Sequence, residues 1–371
     1  MVNQSRLLEV FCLQSHWCHM SDRTETELSG EERLIARYFR PLATHPGAFG
    51  LIDDAAALTP PAGCDLVLKT DGLICGVHFF ASDPADAVAK KALRVNLSDL
   101  AAKGASPVGF LLALALPEGI ASSWLEAFAQ GLGEDAEAFG FPLLGGDTDR
   151  TPGPITISIA AIGAVPHAKM IRRTGARPGD RVVVTGTIGD AALGLLLRRD
   201  PAIAAKWGVN SNEQEYLKFR YLIPQPRNAL VEALRVYATA AMDVSDGLVG
   251  DLAKLCRASG VAAEVNVERV PLSDAARTAC ARQSADILAT ALTGGDDYEI
   301  IATLRPESIA PFCRAALAKG VMVTEIGFVT AGEGTVRIID RERNILRFAQ
   351  TSFSHFQVGE RPNSVAGADE P

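Results

Sequence analysis

The residues best suited to chemistry are aspartates at the breaks between apolar segments: Asp53-Asp54, Thr70-Asp71, Asp99, Gly145-Gly146-Asp147, Asp243-x-Ser245-Asp246 and Gly295-Asp296-Asp297. Taken singly, each has an ordinary explanation, because aspartate caps helices and nucleates turns. Asp99 resists it, since this residue sits inside the otherwise apolar helical stretch Asn96–Ala102. Asp71 likewise closes an apolar strand. If such carboxylates converge, their repulsion at low dielectric demands cations. Carboxylate oxygens are hard donors suited to Mg²⁺, which keeps waters and shares its shell with substrate phosphates. A cluster this acidic requires more than one ion.

The common nucleotide motifs are missing. There is no G-x-x-x-x-G-K-[ST], no H-R-D or D-F-G set and no convincing Ser-His-Asp combination among the six histidines. Gly186-Thr-Ile-Gly189 follows an expected strand but fails the dinucleotide spacing, and reads as a plain strand-to-helix turn. The net charge of −8 speaks against a nucleic-acid partner, whereas a nucleotide can be served by local metal ions.

These aspartates must be held by alternating strands and helices. A helix is expected over 31–42, a strand over 65–70, and a helix capped by Asp83, opened by Pro84 and stopped at Gly104. A strand over 108–116, a helix over 122–139 and a strand over 155–165 follow. The basic, Pro- and Gly-containing stretch 166–180 is the expected domain boundary. Beyond it come a strand at 181–185 and helices from Asp190, over 227–238, 247–258 and 306–319. Strands near 263–267, 298–303 and 323–329 alternate with these. Asp99 and Asp147 are 48 residues apart, and Asp246 and Asp296 are 50 apart, which suggests an internal duplication.

At 371 residues the chain has room for two domains. No signal peptide or membrane span is visible, because the longest apolar run, 108–116, is too short to cross a bilayer. Seven scattered cysteines suit a reducing cytosol better than a disulfide framework. Residues 1–28 read as a leader, disordered or upstream of the true start, with Met20 as a second possible start. Cys12, His16, Cys18 and His19 within it lack zinc-site spacing. Residues 359–371 have the composition of a disordered tail.

Seven blocks in order make the pattern specific: Gly50–Ala56, Lys69–Gly72 with His78-Phe79, Val95–Ala101, Leu144–Thr148, Arg173–Asp180, Asp243–Leu248 and Gly294–Glu299. Over about 29–356 the chain resembles the thiamine-monophosphate kinases of the aminoimidazole-ribonucleotide-synthetase-like superfamily. The resemblance implies a two-domain α/β (α+β) fold: an N-terminal dimerising domain over 29–166 and a C-terminal α/β domain over 167–358, with ATP and Mg²⁺ between them. It implies ATP-dependent transfer of a phosphoryl group to thiamine phosphate in a cytoplasmic homodimer. It also implies that Asp53, Thr70, Asp71, Asp99, Asp147, Asp243 and Asp246 bind Mg²⁺. Gly146, Asp147, Arg173 and Ser245 would hold the nucleotide, and His78, Asp296 and Phe353 would face thiamine phosphate. Asp71, Asp147, Asp246 and Arg173 would carry the reaction.

The chain departs from the family pattern at four places. Ile52 stands where Gly is usual, Lys69 replaces a small hydroxyl residue, Asp296 stands for Glu, and 352–356 departs from a Gly-aromatic-Asp-His-Phe ending. The last two fall on the acceptor pocket. Another ATP-using member of the superfamily, such as a selenophosphate synthetase or a cyclase, is the alternative. The former should carry a reactive Cys on a Gly-rich arm, which neither Cys12 nor Cys18 provides. A silent nucleotide- or metal-binding subunit has no reason to keep so costly a charge cluster.

Overall fold

Burial alternates from Cys64 to Ile74, with Val67 and Leu73 turned inward and Leu66 and Leu68 outward, as a strand packed on one face requires. In the computed structural model, which describes residues 29–282 and 284–353, this segment is β1. It pairs antiparallel with β4 (Thr156–Pro166), which pairs antiparallel with β2 (Ser106–Leu116). β2 in turn runs parallel to β3 (Leu143–Arg150), so the four-stranded sheet has the order β1-β4-β2-β3. Helix α1 (Ala85–Ala102) packs on this sheet, and α2 (Ser122–Ala138) packs on α1. Leu93, Leu97, Phe110, Phe128, Leu132 and Ile157 fill the core between them.

The second sheet has seven strands in the order β11-β10-β7-β9-β5-β8-β6. They are β5 (Arg181–Thr185), β6 (Ala238–Asp243), β7 (Val261–Asn266), β8 (Ile300–Leu304), β9 (Val323–Ala331), β10 (Val336–Ile339) and β11 (Ile345–Leu346). Every pairing is antiparallel except β7 with β10. Helices that accompany it include α3 (Asp190–Arg199), α4 (Ser211–Leu222), α5 (Leu248–Ser259), α6 (Ser284–Thr293) and α7 (Ile309–Leu317), with a further helix over Asp274–Arg282.

α1 joins the two halves. Its middle belongs to the first core, whereas Ala101 and Ala102 at its end pack with Ile171, Leu230, Leu234 and Ala241 of the second. Lying between two layers, α1 is buried nearly all round, with Lys91, Asn96 and Ser98 buried along with its apolar residues. Gly104, at φ 68°, then turns the chain out of the helix, as expected.

Several expectations change. The helix over 31–42 is a succession of α, π and 3₁₀ turns. Asp83 does not cap α1; its buried carboxylate accepts from the Phe80 N–H and pairs with Arg198. Gly145-Gly146-Asp147 is part of β3 rather than a turn, and Asp71 lies within β1 rather than at its end. α4, α6, β6 and β10 were not foreseen as separate elements. The two halves of the apparent repeat occupy different structures, Asp99 in a helix and Asp246 in a loop, so equal spacing is not equal geometry. The expected leader, tail and Cys12–His19 group lie outside the described residues. Among the described residues, no helix is long and apolar enough to cross a membrane.

Candidate active site

Asp71, Asp99 and Asp243 meet at the seam between the two sheets, each from a different element. Asp71 projects from the inner face of β1, Asp99 from the last turn of α1, and Asp243 from the end of β6. Lys69, two residues before Asp71 and therefore on the same face of β1, places its Nζ 3.0 Å from Asp71 Oδ1 and 2.9 Å from Asp99 Oδ2. The buried Asp243 carboxylate accepts a hydrogen bond from Ser98 Oγ at 2.9 Å. Lys103, one residue past α1, donates to the Ala241 carbonyl at 2.8 Å.

Burial governs the electrostatics here. It pushes the Asp243 carboxyl up to about 8, helped by the nearby Asp99 charge and opposed by the Ser98 hydrogen bond. Burial also raises Asp71, with Lys69 opposing and Asp99 adding to the shift. Burial, with Arg173 nearby, brings the Lys103 ammonium down to about 8. For Lys69 burial acts downward, but the Asp99 and Asp71 charges overcome it and hold the ammonium above the ordinary lysine value.

A second group gathers around a pocket of about 160 Å³ beside the seam, lined by His78, Tyr221, Ser245, Gly295, Asp296 and Phe353 among others. The Asp296 carboxylate accepts from Lys91 Nζ at 2.9 Å, and the same ammonium reaches the His78 carbonyl at 3.1 Å and lies 3.7 Å from the Tyr221 ring centroid. Asp296 and Tyr298 have φ of 68° and 51°, strained values for residues with a side chain. Below this loop Glu299, fully buried, accepts from Thr185, Arg220 and Arg227 and anchors it.

The remaining expected residues lie elsewhere. Asp53, Gly146 and Asp147 line a cleft of about 750 Å³ on the open face of the four-stranded sheet, together with Ser158. Thr70 faces that side too, with its Oγ1 3.4 Å from Ser158 Oγ. Gly146 has a structural reason to lack a side chain, because a Cβ there would fall 1.9 Å from the Leu112 carbonyl oxygen on β2. Asp246 forms a third place: it pairs with Lys254, its N–H donates to Asp251 Oδ2 at 2.8 Å, and its carbonyl accepts from the Phe353 N–H at 2.9 Å. Arg173 is exposed in the connection between the halves.

The seam's donors are of the type Mg²⁺ prefers: hard carboxylate oxygens whose charges are expensive without a cation. Among the described residues, however, no three carboxylate, imidazole or thiolate groups stand ready to hold an ion. A lysine occupies the position between Asp71 and Asp99 instead. Lys91, Lys103, Ser98 and Tyr221 contribute to the site without having been singled out from sequence.

Comparison with known proteins assigns both halves. Residues 52–165 match the AIR synthase related protein N-terminal domain, and residues 177–340 match the corresponding C-terminal domain. The chain is 45% identical over 303 residues to the thiamine-monophosphate kinase of Caulobacter vibrioides, covering 81% of this chain and 84% of that one. The crystal structure of thiamine-monophosphate kinase from Stenotrophomonas maltophilia superposes with a TM-score of 0.73 at 39% identity, over 82% of this chain and 94% of that one. AaThiL complexed with AMPPCP and TMP superposes at 0.68 and 34% identity, over 84% and 97%. With two matched domains and relatives this similar over most of its length, the chain belongs to the AIR synthase related family and, within it, to the thiamine-monophosphate kinases.

Proposed function

We propose that the chain transfers the γ-phosphoryl group of ATP to thiamine phosphate, giving ADP and thiamine diphosphate. The observation that carries this reading is the link between the acidic seam and the 160 Å³ pocket through one residue. The Tyr298 carbonyl lies 3.5 Å from Ser98 Oγ, the donor to Asp243, and its hydroxyl lies 3.4 Å from Asp296 Oδ1. A phosphate acceptor seated against His78, Asp296 and Phe353 would thus present its anionic end to the place where cations are demanded. The Phe353 ring, half exposed in the pocket lining, would stack on the vitamin.

Asp53, Thr70, Asp71, Asp99, Asp147, Asp243 and Asp246 are the proposed Mg²⁺ ligands, and Gly146, Asp147, Arg173 and Ser245 the proposed nucleotide contacts. More than one Mg²⁺ ion would supply positive charge to the transferring group. In our reading Arg173 adds charge to the phosphates, and the pocket residues align the acceptor. An oxygen of thiamine phosphate forms the new P–O bond as the bond to the β–γ bridging oxygen breaks and ADP leaves. With a second pKa of about 6, a phosphate monoester is already mostly dianionic at neutral pH, so no general base is needed. Magnesium-bound aspartates have their lone pairs committed, which disfavours an aspartyl-phosphate intermediate.

Residues 29–166 and 167–358 are the proposed domains. Exposed Leu66, Leu68 and Leu111 on the open face of the four-stranded sheet support a homodimer formed there, and scattered cysteines support a cytoplasmic setting. Incubation with ATP, Mg²⁺ and thiamine phosphate should yield thiamine diphosphate and ADP, with free thiamine a poor acceptor. Equal use of thiamine, or use of neither, would overturn the reading. A chiral γ-phosphorothioate should be transferred with inversion.

A further inference from the structure

We propose that Lys69 is a built-in cation of the acidic seam, whose ammonium takes the place of one divalent ion between Asp71 and Asp99. The inference rests on the kinase reading above and deepens it. Lys69 Nζ is the only described group placed between these two carboxylates, at 3.0 and 2.9 Å. The alternation of β1 sends Lys69 and Asp71 to the same inner face, while Thr70 between them faces the other side, so the contact is built into the strand.

The neighbouring cations cannot do the same work. The Lys103 ammonium is bound to the Ala241 carbonyl at 2.8 Å, and Lys254 is engaged by Asp246 and Asp251 on α5. A Mg²⁺ ion would sit about 2.0–2.1 Å from the carboxylate oxygens it binds. An ammonium and a divalent ion on the same oxygen pair would repel each other at close range. While Lys69 holds that position, one tethered charge that neither dissociates nor depends on free metal offsets half the charge of the Asp71–Asp99 pair, and the carboxylate oxygens that Lys69 does not contact remain for Mg²⁺. Asp243 is joined to Ser98 rather than to a lysine.

The test counts ions. Full-length protein is loaded with a non-hydrolysable ATP analogue and titrated with Mn²⁺, and bound metal is read by electron paramagnetic resonance and equilibrium dialysis. Lys69→Ser should bind one Mn²⁺ more per chain than the natural protein, whereas Lys69→Arg, which keeps the charge, should bind the natural number. Without metal, Lys69→Ser should melt at a lower temperature than the natural protein, and added Mn²⁺ should close most of that gap. If Lys69→Ser fails to fold without metal, the count is made on protein purified in Mn²⁺. The same count in all three proteins would overturn the role of Lys69 and leave the kinase reading standing. No nucleotide-dependent Mn²⁺ binding in any of them would overturn both.

Discussion

Replacing Lys91 by Met asks how much of the acceptor pocket is held together by one buried ammonium. Lys91 is 3% exposed, and its Nζ bridges Asp296, from the second half of the chain, to the His78 carbonyl, from the first, at 2.9 and 3.1 Å. At 2.9 Å two unit charges attract by about 6 kcal/mol for an effective dielectric of 20. Desolvating the ammonium offsets several kcal/mol of this. Methionine keeps the packing of the aliphatic stem. The Asp296 side chain is 30% exposed, so the carboxylate left behind regains some water. The expected loss therefore falls below the ~3–5 kcal/mol of a fully buried broken pair, at about 2 kcal/mol. Urea unfolding should show a lower midpoint with an unchanged slope, and thiamine phosphate should bind at least ~10-fold more weakly, equivalent to about 1.4 kcal/mol. A double-mutant cycle with Asp296→Asn should give a coupling of about 1 kcal/mol or more. Additivity within ~0.3–0.5 kcal/mol, with an unshifted midpoint, would refute the reasoning.

Asp71→Asn and Asp246→Asn should each abolish turnover and weaken Mg²⁺-ATP binding. Because both carboxylates pair with lysines, neither change should stabilise the metal-free protein; a clear rise in its melting temperature would contradict the observed pairing. Glu299→Gln removes the buried charge that faces Arg220 and Arg227, and should lower stability by about 3–5 kcal/mol in a urea titration. Lys103 titrates at about 8 in the folded chain against an ordinary 10.5. The unfolded chain therefore binds more protons between these values, and the Lys103 contribution to stability rises with pH across that window. The stability difference between the natural protein and Lys103→Met should shift in favour of the natural protein from pH 8 to 10, and a flat difference would refute the shift.

Much of the site was legible because its carboxylates interrupt apolar segments. Asp99 within an apolar helix and Asp243 beside a strand both reach the seam. His78, Asp296 and Phe353, which the family resemblance grouped, line one pocket, and Ser245, expected at the nucleotide, lines it too. What could not be read is how the sheet divides them. With Asp71 taken as the end of a strand, Thr70 and Asp71 looked like neighbours on one site; inside β1, period-two alternation sends them to opposite faces. The same lesson applies to β3, where Gly-Gly-Asp has the composition of a turn but pairing with β2 keeps it extended. Lys91 was hidden for another reason. α1 is buried nearly all round, polar residues included, so no amphipathic stripe distinguishes the buried Lys91 from the more exposed Lys90. Its spacing of seven from Ser98 was the one available signal, and it needed the second half of the chain to give it meaning.

The strand order of the larger sheet also bears on how the chain must be made. β5 is an interior strand, a Val-Val-Val segment, yet both of its partners come much later: β8 begins at Ile300 and β9 at Val323. At about 5–20 residues per second, some 7–28 s separate the synthesis of β5 from that of β9. Until β8 is made this β-branched segment waits with both edges unsatisfied, and until β9 follows one edge stays open, the condition that favours pairing with another nascent chain. Slower growth at low temperature, or extra holdase capacity, should therefore improve soluble yield more for this protein than for one whose interior strands are paired by sequence neighbours.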